Sequence, residues 1–227
     1  MCGRYSLLVD LAQLALRFGF DAHGLKLEPG YNIAPTQQVL TVRESASGRG
    51  AALMRWGLIP SGARNASAGA PIINARAETL TERPAFRDAL RSRRCLVPAD
   101  GFYEWLGSGA VKRPVRVALW TGEPFAFAGL WAVWRSPAGE RMESCAIVTT
   151  AANDLLAPAH DRMPVILPRE REEVWLDSGV DDAGLLSQLL EPYAPAEMRM
   201  DEVSPLVNSA ANNVPEVLAR PLKMDLR

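Results

Sequence analysis

The chain is poor in the residues that build metal centres and disulfide frameworks. Its 227 residues contain three cysteines, Cys2, Cys95 and Cys145, an odd number without CxxC spacing, and two histidines, His23 and His160. A disulfide scaffold and a structural zinc site are therefore not expected, and neither a metal nor an organic cofactor is called for. Apolar runs are broken by charge or glycine well short of the roughly 20 residues of a membrane span. The start, MCGRYSLLVD, carries Arg4 and Asp10 where a signal peptide needs an unbroken apolar stretch. No membrane partner and a cytoplasmic location are the expectations. Lysine is scarce as well: of 25 basic residues only Lys26, Lys112 and Lys223 are lysine, and the other 22 are arginine.

Net charge is low, at -1, which argues against a nucleic-acid partner until it is divided along the chain. Residues 1–120 hold 16 basic against 9 acidic side chains (+7), and residues 121–227 hold 9 against 17 (-8). Arginine is the side chain suited to bidentate phosphate contacts, although the excess taken alone is equally the mark of a coding bias. With 48% apolar residues the chain can bury a substantial core, and no domain boundary interrupts it, so one domain over 1–227 is expected.

Short strand-like runs dominate: QQVLTV, AALMRW, PIIN, RCLVPA, PVRVALW, FAFAGLWAVW and ESCAIVTT. PVRVALW and FAFAGLWAVW, joined by TGEP, read as a hairpin. Leu11–Phe18, PAFRDALRSRR, ANDLLAP, REREEVWLD and AGLLSQLL read as short helices, and SGARNASAGA as a mobile surface loop. Strands and helices do not alternate as βαβ units. The expected fold class is α+β, a curled, mostly antiparallel, open β-barrel-like sheet with short helices packed outside it.

The chemistry starts at position 2. Removal of Met1 leaves a cysteine with both a free α-amine and a thiol, whose unperturbed pKa values of about 7.7–8.0 and 8.5 leave a minority of each nucleophilic at neutral pH. The amine condenses with an aldehyde, and the thiol then closes a thiazolidine ring on the imine. The same terminus could equally attack an amide, as an N-terminal nucleophile hydrolase does.

Several blocks carry a resemblance: MCGRY, YNIAPTQ (31–37), MRWGLIP (54–60), INARAET (73–79), RRCLVPADGFYEW (93–105), FAGLW (127–131) and HDRMPVIL (160–167). Through them the chain resembles the SOS response-associated peptidase family of abasic-site processing proteins. The resemblance implies binding of single-stranded DNA containing abasic sites and a covalent thiazolidine link from Cys2 to the ring-opened sugar. It also implies shielding of the site from cleavage, with crosslink reversal, lyase-type β-elimination and a peptidase activity as related reactions. Matching positions assign Cys2 as nucleophile, Asn74 to orient the opened sugar, Glu104 as acid/base and His160 as proton shuttle.

Residue chemistry is compatible with each role. In a strand, Glu104 faces away from Tyr103 and Trp105, and apolar surroundings raise a carboxyl toward neutrality. His160 titrates near neutrality, and Asn74 offers a donor and an acceptor. Arg4, Arg76 and Arg162 lie within two residues of these positions and are candidate phosphate contacts, with Trp56 and Trp105 as candidate base-stacking rings. Trp120, Trp131 and Trp134 read as core, and the RSRR run at 91–94 as either a phosphate patch or a solvated helix end. The acids of the second half are expected on the face turned away from DNA, and the protein is expected to be a monomer. An N-terminal-cysteine amidohydrolase or peptidase, and a non-catalytic single-strand binder, are the competing classes.

Overall fold

The computed structural model describes residues 2–45, 48–66, 70–107 and 112–221. Thirteen strands follow in chain order among them. The first seven are β1 (Tyr5–Leu7), β2 (Gly30–Ile33), β3 (Gln38–Ser45), β4 (Gly48–Trp56), β5 (Asn74–Arg76), β6 (Arg94–Ala99) and β7 (Gly101–Leu106). The rest are β8 (Arg113–Leu119), β9 (Phe125–Arg135), β10 (Arg141–Ala151), β11 (Arg162–Pro164), β12 (Ile166–Leu167) and β13 (Met198–Glu202). The helices are α1 (Leu11–Phe18), α2 (Pro84–Ser92), α3 (Glu172–Leu176) and α4 (Ala183–Gln188), with short 3-10 turns between.

The expected α+β fold is present, and its curled sheet goes further than an open one. β4, β3, β6, β9 and β10 pair in turn, and β10 returns to β4, closing a five-strand barrel. Closure uses a parallel pairing, Ser144 and Cys145 of β10 against Arg55 and Trp56 of β4. Two barrel strands are buried on both faces: β6 at every residue and β10 from Ser144 to Thr150. Gly129 sits in mid-strand because a Cβ there meets the Cys95 sulfur at 2.8 Å. A second, antiparallel sheet runs in the order β13-β8-β7-β1-β2.

Helix α1 has the expected limits. The Asp10 side chain accepts the Gln13 N–H at 2.9 Å, and Gly19 ends the helix at φ +69°. ANDLLAP, by contrast, forms turns and no helix. Asn153 caps Leu156 N and donates to Tyr193 O, which satisfies this backbone locally. PVRVALW and FAFAGLWAVW do not pair either: β8 pairs with β7 and β13, β9 pairs with β6, β10 and β12, and TGEP carries the chain from one sheet to the other. Of the glycine-rich 61–70 stretch, residues 67–69 lie outside the described residues. Its Ala63 carbonyl accepts the indole N–H of buried Trp134. Trp120 is not core, being 65% exposed.

The RSRR run divides. Arg91 is exposed, whereas Arg94 is buried and donates to the carbonyls of Leu90, Arg91, Trp175, Asp177 and Val180, fastening α2 and α3 to the barrel. Arg94→Ala leaves these carbonyls without their donor and is expected to cost about 3 kcal/mol of unfolding free energy, read from urea denaturation.

A buried polar cluster fixes the amino-terminal strand. Asp100, between β6 and β7, accepts the Ser6 hydroxyl at 2.7 Å, Arg116 Nη2 at 2.7 Å and the Leu8 N–H at 2.5 Å. Together with the pairing of Tyr5 to Phe102, this cluster holds β1 in register with β7. Cys2, three residues before β1, is delivered to the junction between barrel and second sheet.

Candidate active site

Cys2 is fully buried there, and groups from both sheets meet it. From the barrel side, Asn74 Nδ2 donates to the Cys2 carbonyl at 2.9 Å. Asn74 opens β5, which lies parallel to β10 with Asn74 beside Ile147 and Arg76 beside Thr149. From the other sheet comes Glu104, only 4% exposed. Strand alternation sends Phe102 and Glu104 to one face of β7 and Tyr103 and Trp105 to the other, where both pack with Val203, Val207 and Val217.

Electrostatics tie these groups together. Burial pushes the Cys2 thiol far above its ordinary pKa, and the Glu104 charge pushes it the same way. The nucleophilic minority expected for an unperturbed thiol is therefore absent from this buried state. Burial also raises the Glu104 carboxyl, against the positive charges of the amino terminus and Lys112. His160 is lowered, first by burial and then by the amino terminus, so the ring is neutral at pH 7. Its Nδ1 accepts the Arg162 N–H at 2.9 Å, and the exposed Asp161 carboxylate, 2.7 Å from the same nitrogen, can accept from it only when Nδ1 itself carries a proton, which excludes the Arg162 bond. Glu104 acts on the Cys2 sulfur, the Lys112 charge acts on both Glu104 and His160, and Asn74 bonds the Cys2 carbonyl, so the four catalytic nominations lie near one another.

The five DNA nominations are placed less uniformly. Arg76 is exposed beside Asn74. Trp105 is half-buried, with its indole N–H on Asn208 Oδ1 at 2.7 Å. Arg4 is half-buried and turned to the protein, donating to Asn32 Oδ1 at 2.9 Å and to Val207 O at 2.7 Å. Arg162 spends both terminal nitrogens on Glu78, at 2.6 and 2.9 Å, and Nη2 also on Thr149 O at 2.6 Å.

Trp56 requires correction as a stacking platform. It is completely buried, edge-on to Tyr5 with ring centroids 5.3 Å apart, and no face is open to a base. Its indole N–H donates to Ile73 O at 3.0 Å, which makes it a support for the strand that carries Asn74.

Two residues at the site escaped the sequence reading. Thr149 was hidden in the apolar run of β10. Its buried Oγ1, like the buried Asn74 Oδ1, has no hydrogen-bond partner among the described residues. Asn74, Arg76, Ile147 and Thr149 share a face of the β5–β10 strip, so two uncommitted polar atoms lie along the strip whose Asn74 holds the Cys2 carbonyl. Glu78 stood in plain view two residues after Arg76, but nothing local marks its partner. Among the described residues, no three His, Cys, Asp or Glu side chains gather to hold a metal ion, and no helix is long and apolar enough to cross a membrane.

Comparison with known proteins gives concordant matches. The family model for SOS response associated peptidase (SRAP) matches residues 1–210. The chain is 43% identical to the abasic site processing protein YoqW of Bacillus subtilis, over 96% of this chain and 99% of that protein. It is 30% identical to the abasic site processing protein HMCES of Xenopus tropicalis, over 88% of this chain and 68% of that one. A crystal structure of a Bacteroides thetaiotaomicron protein superposes with a TM-score of 0.89 at 28% identity, covering 97% of this chain and all of that one.

Proposed function

The chain belongs to the SOS response associated peptidase family, and we propose that it is an abasic-site sensor that binds single-stranded DNA and joins Cys2 covalently to the ring-opened sugar. The observation that carries this reading is the placement of Cys2 between Asn74, on its carbonyl, and the buried carboxyl of Glu104. Relatives named for abasic-site processing support the substrate.

With Met1 removed, the Cys2 α-amine attacks the C1′ aldehyde to give a carbinolamine. Loss of water leaves an imine, and the thiol sulfur adds to the same carbon to close a thiazolidine. One aldehyde and one aminothiol become one ring and one water. Departure of the hydroxyl needs a proton: His160, neutral at rest, takes the one the amine releases on attack and returns it to the hydroxyl. A thiol held in its neutral form attacks only as its proton leaves, and Glu104, close enough for its charge to act on the sulfur, is the acceptor. Asn74 Oδ1 and Thr149 Oγ1 hold the hydroxyls of the open sugar. Arg76 and Arg4 supply positive charge for the flanking strand, and Trp105 offers the available ring.

The reading is tested by mixing protein of native, Met-processed amino terminus with single-stranded DNA carrying one abasic site. A band of protein plus DNA that survives denaturing electrophoresis is expected. Protein with one extra amino-terminal residue should give none, because its Cys2 nitrogen is an amide. Equal bands from both proteins, or no band from the processed one, exclude the chemistry.

A further inference from the structure

The Arg162 guanidinium is held by the protein, with its side chain 13% exposed against 52% for its partner Glu78. Glu78 holds the outer edge of the guanidinium through two parallel bonds, at 2.6 and 2.9 Å. That forked edge is the one a phosphate pairs with in bidentate recognition. The inner hydrogen of Nη2 is held separately by Thr149 O at 2.6 Å, so the group stays in place whichever anion occupies the fork. Glu78 follows Arg76 by two residues, and the charges of both arginines act to keep its carboxyl ionised. An acid from the basic half of the chain therefore sits between the two arginines nominated for phosphate, Arg76 and Arg162.

We propose that Glu78 is an internal stand-in for a DNA phosphate: in the strand-free protein its carboxylate fills the position on Arg162 that a phosphate of the bound strand takes, and the two anions exchange on binding. The proposal rests on the single-strand reading given under the proposed function. Its functional consequence is selectivity. Every strand, damaged or intact, must displace Glu78, so reversible binding is weakened for both. Only an abasic strand offsets this through the covalent step, and intact strand is released.

Glu78→Gln removes the competing charge and keeps the side-chain shape. The probe is an intact single-stranded oligonucleotide without an abasic site, titrated across a range of salt concentrations. The variant is expected to bind about three- to tenfold more tightly than wild type, the scale of a partly exposed but bidentate ion pair. In the wild type, the freed carboxylate gathers a counterion as the phosphate loses one, so this contact adds nothing to the salt dependence. In the variant, the slope of log K against log salt should steepen by about 0.7, the value for one phosphate on a single strand. Glu78→Gln/Arg162→Gln should match Arg162→Gln alone.

Unchanged affinity and slope in Glu78→Gln overturn the proposal. So does weaker binding with a lowered thermal midpoint in both Glu78→Gln and Glu78→Asp, which marks a structural brace. Failure of the wild type to bind at any salt concentration overturns the single-strand reading itself.

Discussion

Cys2→Ala is expected to abolish the denaturation-resistant complex with abasic single-stranded DNA. Alanine keeps the α-amine and removes the sulfur, so the reaction stops at the imine, which hydrolyses when the protein is unfolded on the gel. Borohydride added during the incubation should reduce that imine to a stable amine and recover a covalent band. The pair of measurements separates the two bonds to C1′: the amine makes the first, the thiol the second. The buried Cys2 side chain is small, and its one polar contact is a long 4.0 Å approach to Arg4 O, so loss of reaction is not a folding effect. A heat-stable band of wild-type intensity from Cys2→Ala without borohydride would refute thiol closure.

Glu104→Gln is expected to slow crosslinking by about 100-fold or more, the usual scale for loss of a positioned proton acceptor. The pH profile carries the sharper signature. Burial raises the Glu104 carboxyl, so its basic form accumulates at higher pH than for an ordinary glutamate. The wild-type rate should climb through that raised pKa, and the glutamine variant should lose this limb. Stability should move the opposite way. A carboxyl whose folded pKa is raised contributes stability fully below its unfolded pKa and loses it as pH rises through the folded value. Above that folded value the wild type carries a buried charge that glutamine lacks, and there the thermal midpoint of Glu104→Gln should be higher. A slower variant that is also less stable would point to a packing defect instead.

How much of the fold was legible in the sequence depends on how local each signal is. Leu11–Phe18 was readable because its apolar spacing is framed by a capping aspartate and a glycine that ends it. Runs such as ESCAIVTT were readable as strands, but not their partners, since a strand buried on both faces shows no alternation by which to choose a neighbour. TGEP looks the same whether it closes a hairpin or changes sheets. Arg91 and Arg94 are indistinguishable within RSRR, and only the carbonyls gathered from α2 and the α3 region decide which is buried. Trp56 and Trp120 exchanged their expected places for the same reason: burial is set by what the fold packs against each ring, not by the flanking residues. For the candidate site, Cys2, Asn74, Glu104 and His160 were nominated through motif blocks, and the fold brings them near one another. Thr149 and the partner of Glu78 were not found, because their significance lies in strand pairings that join residues dozens of positions apart.

If Cys2 is joined to DNA as proposed, the order of the second sheet bears on the fate of the attached protein. β1 is not an edge strand but lies between β7 and β2, with Asp100 bonded to its Ser6 side chain and to the Leu8 amide just beyond it. A DNA strand coupled at Cys2 is thus tethered three residues from an interior strand, with almost no slack. Tension on the DNA, such as a translocating machine exerts, passes along the strand axis and loads its hydrogen bonds on both sides together. The attached protein meets such a machine as a folded obstacle rather than as a tail to be drawn through.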